Sequence, residues 1–241
     1  MSRTSALGKG SALGLYNAEI SAGSLMLPES RRIARLLRER PTPEQWDNAL
    51  KDENLLQKKP ATARRQARLI RNRLETLDDD GLRLIVESEV ELCSQVLLAA
   101  ATRHSRLLSD FLRDVYSADL RRMENTLSHR QWESFLTECE HRDDAVGQWA
   151  SSTREKLFQV IVRILAEAKY LDSTRRMGLT PPMLHPKARA YLIQDIRWRS
   201  ESRKPEGPAG DSVHLPGKGN EGVPRCTPWN ARLLGHVAHR V

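Results

Sequence analysis

Apolar positions recur at helical rather than strand spacing along most of this 241-residue chain. Ile33, Leu36 and Leu37 form a first stripe, in a segment that turns helical at Ser30 and that Pro41 stops. A second helix follows, with Thr42 as cap, Pro43 in the first turn and Gln45 in the capping-box position. Ala63, Ala67, Ile70, Leu74 and Leu77 make an unbroken i, i+4, i+7, i+11, i+14 series, which predicts a longer helix over Thr62–Leu77 that Thr62 could cap. Further helices are predicted over Val90–Thr102, Ser105–Met123, Ser128–Cys139 and Ser152–Ala168, with Ser128 and Ser152 as caps and Glu155 three residues beyond the second. A final helix starts near Pro186. One segment departs from this pattern. Tyr170-Leu171-Asp172 and Gly178-Leu179-Thr180 are short apolar stubs around a charged turn, and they predict a small winged-helix-like β-hairpin near 170–180. The expected fold class is all-α, with a helix-turn-helix-like N-terminal part.

The same pattern sets the expected organisation. Residues 1–19 form a Gly- and Ser-rich lead-in, and residues 20–195 form a helical core that can divide into subdomains 20–87 and 88–195. Residues 196–241 form a tail of different character. Its 201–241 stretch holds 11 of the 25 Gly and Pro residues and no periodic stripe, so it is expected to be disordered, like the lead-in. Aromatic residues are only 5%, which points to packing through aliphatic side chains. The longest uninterrupted apolar run, Val96–Ala101, is far short of the ~20 residues of a membrane helix, and the N-terminus has no apolar signal region. Integral membrane and exported proteins are thereby excluded, and a cytoplasmic location is expected. Cys93, Cys139 and Cys226 form no CxxC pair, which suits a reducing compartment and offers no zinc-knuckle spacing.

Charge changes the picture, because the formal net charge of +8 is clustered. Residues 51–100 balance at nine basic and nine acidic, whereas 151–200 carry ten against four. Within the balanced block, Lys58–Arg73 contains seven basic residues (Lys58, Lys59, Arg64, Arg65, Arg68, Arg71, Arg73) and no acidic one. Arg64, Arg68 and Arg71 fall opposite the apolar stripe, about 6 Å apart along the helix at i, i+4 spacing, comparable to neighbouring phosphates on a strand. Arg31, Arg35 and Arg38 repeat that spacing on the preceding helix, within about 60° of each other and away from its stripe. Lys58 and Lys59 flank the helix start, where free N–H groups favour phosphate, and the Thr62 hydroxyl could donate to one. A solvated arginine face is the bland alternative. The absence of any acidic residue inside Lys58–Arg73 tilts the balance toward nucleic acid.

Catalytic chemistry has no comparable signal. Gly8-Lys9-Gly10-Ser11 lacks the spacing and the preceding strand of a phosphate loop. Asp78, Asp79, Asp80, Glu87, Glu89 and Glu91 lie at helix ends, where Asp79 or Asp80 serves better as an N-cap than as a magnesium ligand. His104, His129, His141 and His185 show no metal-binding spacing, and no GxSxG motif is present. Trp46, Trp132 and Trp149 are expected to anchor helix packing, and base stacking is the lesser reading. No cofactor, metal or catalytic residue is expected.

Several stretches carry a resemblance. Ala22-Gly23-Ser24-Leu25 through Pro28-Glu29-Ser30, Leu56-Gln57-Lys58 and Ala61 through Leu74 are similar to the BrxA family of bacterial BREX phage-defence systems. So are Leu98–Ala101, His104–Leu108, Ser152-Thr153-Arg154 and Arg163–Ala168, and the likeness spans about Ile20 to Leu192. It implies a cytoplasmic, non-enzymatic, all-helical DNA-binding protein encoded with methyltransferase and ATPase partners. It also implies a fold akin to transcription antitermination factors, which keeps RNA as an alternative ligand. The family pattern ends soon after the final helix, so no function is carried onto residues 196–241. The favoured reading is a duplex-DNA binder using Lys58, Lys59, Thr62, Arg64, Arg65, Arg68 and Arg71, with Arg31, Arg35 and Arg38. A scaffold whose arginines meet acidic protein surfaces is the second class.

Overall fold

The computed structural model describes residues 14–201, with side chains through residue 195. These residues fall into two compact units, one ending at Pro182 and the other starting at Met183. The first unit is all-α. Its helices are α1 (Leu27–Arg38), α2 (Pro43–Lys51), α3 (Pro60–Leu74), α4 (Asp79–Glu87), α5 (Val90–His104), α6 (Arg106–Phe111), α7 (Ser117–Arg122), α8 (His129–Arg142) and α9 (Ser151–Glu167). The second unit contains α10 (Pro186–Glu201), which begins where Pro186 predicts and runs past the expected core boundary at 195.

Helix α5 organises the N-terminal half. Eleven consecutive residues, Leu92–Thr102, are buried, as a helix without a polar face must be. Helices α1, α3, α4 and α6 pack around it. The stripe read from the sequence of α3 is the face turned inward: Ala63, Ala67, Ile70, Leu74 and Leu77 are all buried. The C-terminal half closes over an aromatic cluster. Trp132 of α8 stacks on Phe158 of α9 at 5.7 Å and meets Phe111 of α6 edge-on at 5.7 Å, while Phe135 lies 5.3 Å from Phe111. Trp132 therefore anchors helix packing, as expected.

Capping decides where several helices start. Thr42 and Gln45 form a full capping box on α2, and Ser128 and Gln131 form one on α8. Elsewhere the expected caps shift. Helix α3 starts at Pro60, two residues early, so Thr62 lies inside the first turn, and Lys59 precedes the helix without a capping side chain. Pro60 at the first position accounts for this, since its fixed φ suits a helix start and its missing N–H is one that would have no partner within the helix. Asp78, not Asp79 or Asp80, caps α4 by accepting from the Gly81 N–H at 2.8 Å. Ser152 sits within α9, which follows Ala150, and Glu155 pairs with His129 at 2.9 Å instead of closing a capping box. The predicted Ser105–Met123 helix is interrupted by a π-helical turn at Leu112–Tyr116, between α6 and α7.

Two further expectations are revised. The lead-in does not extend to residue 19: Tyr16 is only 4% exposed, and its hydroxyl donates to Asp110 at 2.8 Å. The 170–180 segment folds back on itself, with Thr180 N–H donating to the Tyr170 carbonyl at 3.0 Å and Asp172 N–H to that of Gly178 at 2.9 Å. Yet the pairing amounts to isolated bridges, Leu171 with Leu179 and Gly178 with Thr126, and no strand forms among the described residues. Residues 125–127 occupy the outer edge, so this is a tethered loop and not a free wing. Residues 1–13 and 202–241, including Cys226 and most of the expected tail, lie outside the described residues.

Candidate nucleic-acid interface

Helix α3 exposes Arg64, Arg65, Arg68 and Arg71 on the side away from its buried stripe. Arg64, Arg65 and Arg68 form no ion pair among the described residues, and neither does Lys59 at the helix start. Arg71 is held differently. Its Nε lies 2.6 Å from the Glu75 carboxylate, and its guanidinium sits over the indole of Trp46, 4.8 Å from the ring centroid. Glu75 is one turn beyond Arg71 and just outside the acid-free window, so it neutralises the C-terminal end of the face.

The remaining expected site residues divide. Lys58 is exposed but pairs with Glu29 of α1 at 3.3 Å. Thr62 is half-buried, at the flank of the exposed face. Arg35 is exposed on α1 and forms no ion pair among the described residues. Arg38 is exposed as well, whereas Arg31 is half-buried. Arg31 reaches the Ser88 carbonyl between α4 and α5, and Arg38 pairs with Glu87 of α4 at 3.1 Å. Because α4 packs along α1, these two arginines contact protein groups, Arg38 from an exposed position.

Arg73 belongs to the basic run in sequence but not in space. It is 4% exposed, and its guanidinium donates to the backbone carbonyls of Gly23 and Ser24. Burial pushes its pKa down to about 10, partly opposed by the nearby Glu167, which itself accepts from the Ser24 hydroxyl and Leu25 N–H at 2.8 Å each. This arginine ties the entry to α1 against α3 and α9.

A groove of about 460 Å³ runs between α2 and α3, with Trp46 in its wall on the α2 side and Arg64, Arg68, Arg71 and Asn72 on the α3 side. Residue spacing does not reveal it, because the juxtaposition of Trp46 with the arginine face depends on how α2 packs against α3.

Other polar groups serve the structure. Asp110, with 0% exposure, gathers Arg113 at 2.8 Å, Arg106 at 3.3 Å and the Tyr16 hydroxyl. Cys93 and Cys139 are buried free thiols, and burial pushes Cys139 up to about 12, so its thiolate is not accessible at neutral pH. Among the described residues no group of three His, Cys, Asp or Glu side chains is placed to hold a metal ion. No described helix is long and apolar enough to cross a membrane.

Comparisons with known proteins agree on one family. The BrxA family model matches residues 14–195. The chain is 38% identical over 181 residues to BREX protein BrxA of Paramagnetospirillum magneticum (strain ATCC 700264 / AMB-1), covering 75% of this chain and 91% of that one. It is 34% identical over 175 residues to BREX protein BrxA of Escherichia coli O9:H4 (strain HS), covering 72% and 82%. A crystal structure of an uncharacterized protein from Magnetospirillum magneticum superposes with a TM-score of 0.70 at 36% identity, over 76% of this chain and 94% of that one. By family model and by relatives, the chain belongs to the BrxA family.

Proposed function

We propose that this protein is a non-enzymatic, nucleic-acid-binding component of a BREX phage-defence system, working in the cytoplasm beside the system's methyltransferase and ATPase. It binds duplex DNA mainly through phosphate contacts from the exposed face of α3. The observation that carries this reading is the contrast in pairing: Arg64, Arg65 and Arg68 lack carboxylate partners, while Arg31, Arg38, Arg71 and Arg73 are each engaged by protein groups. An unpaired guanidinium on a rigid helix has lost little entropy to local pairing and meets phosphate with its donors free. Lys59 and the uncapped start of α3 add positive potential at one end, and the exposed Arg35 of α1, which also forms no ion pair among the described residues, is a further candidate contact. Arg31 and Arg38 play no part in this contact.

With about five phosphates neutralised, the log–log dependence of affinity on salt should have a slope near −4 to −5, at about −0.9 per phosphate of B-DNA. A gel-shift panel of duplex DNA, single strands and duplex RNA at two salt concentrations tests this. Binding that is strongest for duplex RNA favours an antitermination-like role, and a flat salt response favours a protein scaffold.

A further inference from the structure

The α2–α3 groove differs from the open arginine face beside it. Its volume, about 460 Å³, falls within the roughly 300–1,000 Å³ range of small-ligand sites, and it combines the aromatic wall of Trp46 with an arginine rim on α3, while its two carboxylates, Asp47 and Glu75, are paired with Lys51 and Arg71. Arg71 is fixed in plane from two sides. Trp46 lies beneath its guanidinium, and Glu75 holds its Nε at 2.6 Å, yet 45% of the side chain remains exposed. A guanidinium ordered in this way is a flat, preformed stacking platform, and Trp46 extends the platform into the groove. Arg68 and Arg64 stand about one and two turns before Arg71 along the same face. Asn72, on the same rim, presents an amide that no described residue engages.

We infer that this groove holds one unpaired nucleobase of the bound DNA, stacked on the Trp46–Arg71 pair, while Arg64 and Arg68 meet the phosphates on either side. The inference rests on the nucleic-acid reading above and deepens it, because a phosphate-binding face alone does not distinguish paired from unpaired DNA. A base inside a duplex has both its faces covered by neighbours, and only an unpaired or extruded base offers a π-face to a side-chain platform. Stacking on aromatic or guanidinium planes tolerates every base, so the groove selects a structural feature of the DNA and not a sequence. The Asn72 amide adds hydrogen bonds to whichever base edge it faces.

The test compares a short duplex with the same duplex carrying a single bulged adenine, by fluorescence anisotropy at moderate salt. The bulged duplex is expected to bind at least about fivefold tighter, at the low end of what one stacked base contributes. Trp46→Leu should abolish that preference and leave affinity for the plain duplex within about twofold. Arg71→Lys keeps the charge, loses the planar platform, and should abolish the preference as well, which covers the case in which the tryptophan variant fails to fold. Arg64→Gln with Arg68→Gln should weaken both DNAs alike. Equal wild-type affinity for the two DNAs, or a preference that survives Trp46→Leu or Arg71→Lys, overturns the inference while leaving the phosphate-binding reading intact. Absence of salt-dependent binding to either DNA overturns the reading beneath it.

Discussion

Around Asp110, Arg106 and Arg113 lie 3.3 and 2.8 Å from its carboxylate, and Arg142 lies 3.4 Å from that of Asp114. Along α3, Arg64, Arg65 and Arg68 have no carboxylate within reach among the described residues. Both regions are arginine-rich, but Asp110 and Asp114 stand among the arginines of the first and no acidic residue stands among those of the second. Their electrostatic roles differ because the first set is internally neutralised and organises the packing of α6 against α8 and the Tyr16 segment. A guanidinium already bound to a carboxylate gains little by meeting a phosphate, since it must first give up that partner. The second set has nothing to give up. Local pairing therefore marks the candidate interface better than basic density does, and the same criterion applies inside α3, where Arg73 is buried and Arg68 is free.

The largest effect is expected in the paired region. Asp110→Ala removes a fully buried acceptor and strands Arg106, Arg113 and the Tyr16 hydroxyl, so urea unfolding should show a loss of about 3–5 kcal/mol. The DNA salt slope of the protein that stays folded should not change. Next in size is Ile70→Ala on the buried side of α3, 1% exposed, which should cost about 2–5 kcal/mol as a core truncation and affect DNA binding only through unfolding.

A smaller effect is expected from pH. Burial, and then the positive charge of Arg73, hold the His104 imidazole below its ordinary value of 6.5, against the opposing pull of Glu19 at 3.3 Å. A group whose folded pKa is depressed contributes stability above its unfolded pKa, and that contribution is lost as pH falls through 6.5 toward the folded value. The urea midpoint should therefore drop between pH 7.5 and 5.5 by more in the wild type than in His104→Gln. Equal drops would mean that His104 is free to protonate in the folded state.

How far these features are legible in sequence depends on whether they are periodic or tertiary. The buried stripe of α3 and the capping boxes at Thr42 and Ser128 follow from local spacing, and the structure has them where the spacing predicts. The all-α class follows in the same way. Arg73 could not be separated from the basic run, because it lies about 90° from the centre of the stripe, where burial depends on what packs alongside. Leu69, on the same flank, is buried too. The engagement of Arg31 with the Ser88 carbonyl depends on where α4 ends and α5 begins relative to α1, and the Trp46 groove on the seating of α2. Neither has a signature in residue spacing. Thr62 shows a local rule overridden by another local rule, since Pro60 sets the start of α3 before the threonine can cap it.

Whether unpaired arginines on α3 meet DNA phosphates is decided by the salt dependence of the Arg64→Gln, Arg65→Gln, Arg68→Gln variant. Glutamine keeps helix propensity, and exposed substitutions of this kind usually cost within ~0.5 kcal/mol each, so the variant should stay folded. Its affinity for duplex DNA should fall, and its log–log salt slope should be shallower than that of the wild type by about 2.7, at 0.9 per lost phosphate contact. A folded variant with the wild-type slope would contradict the account and move the interface away from α3.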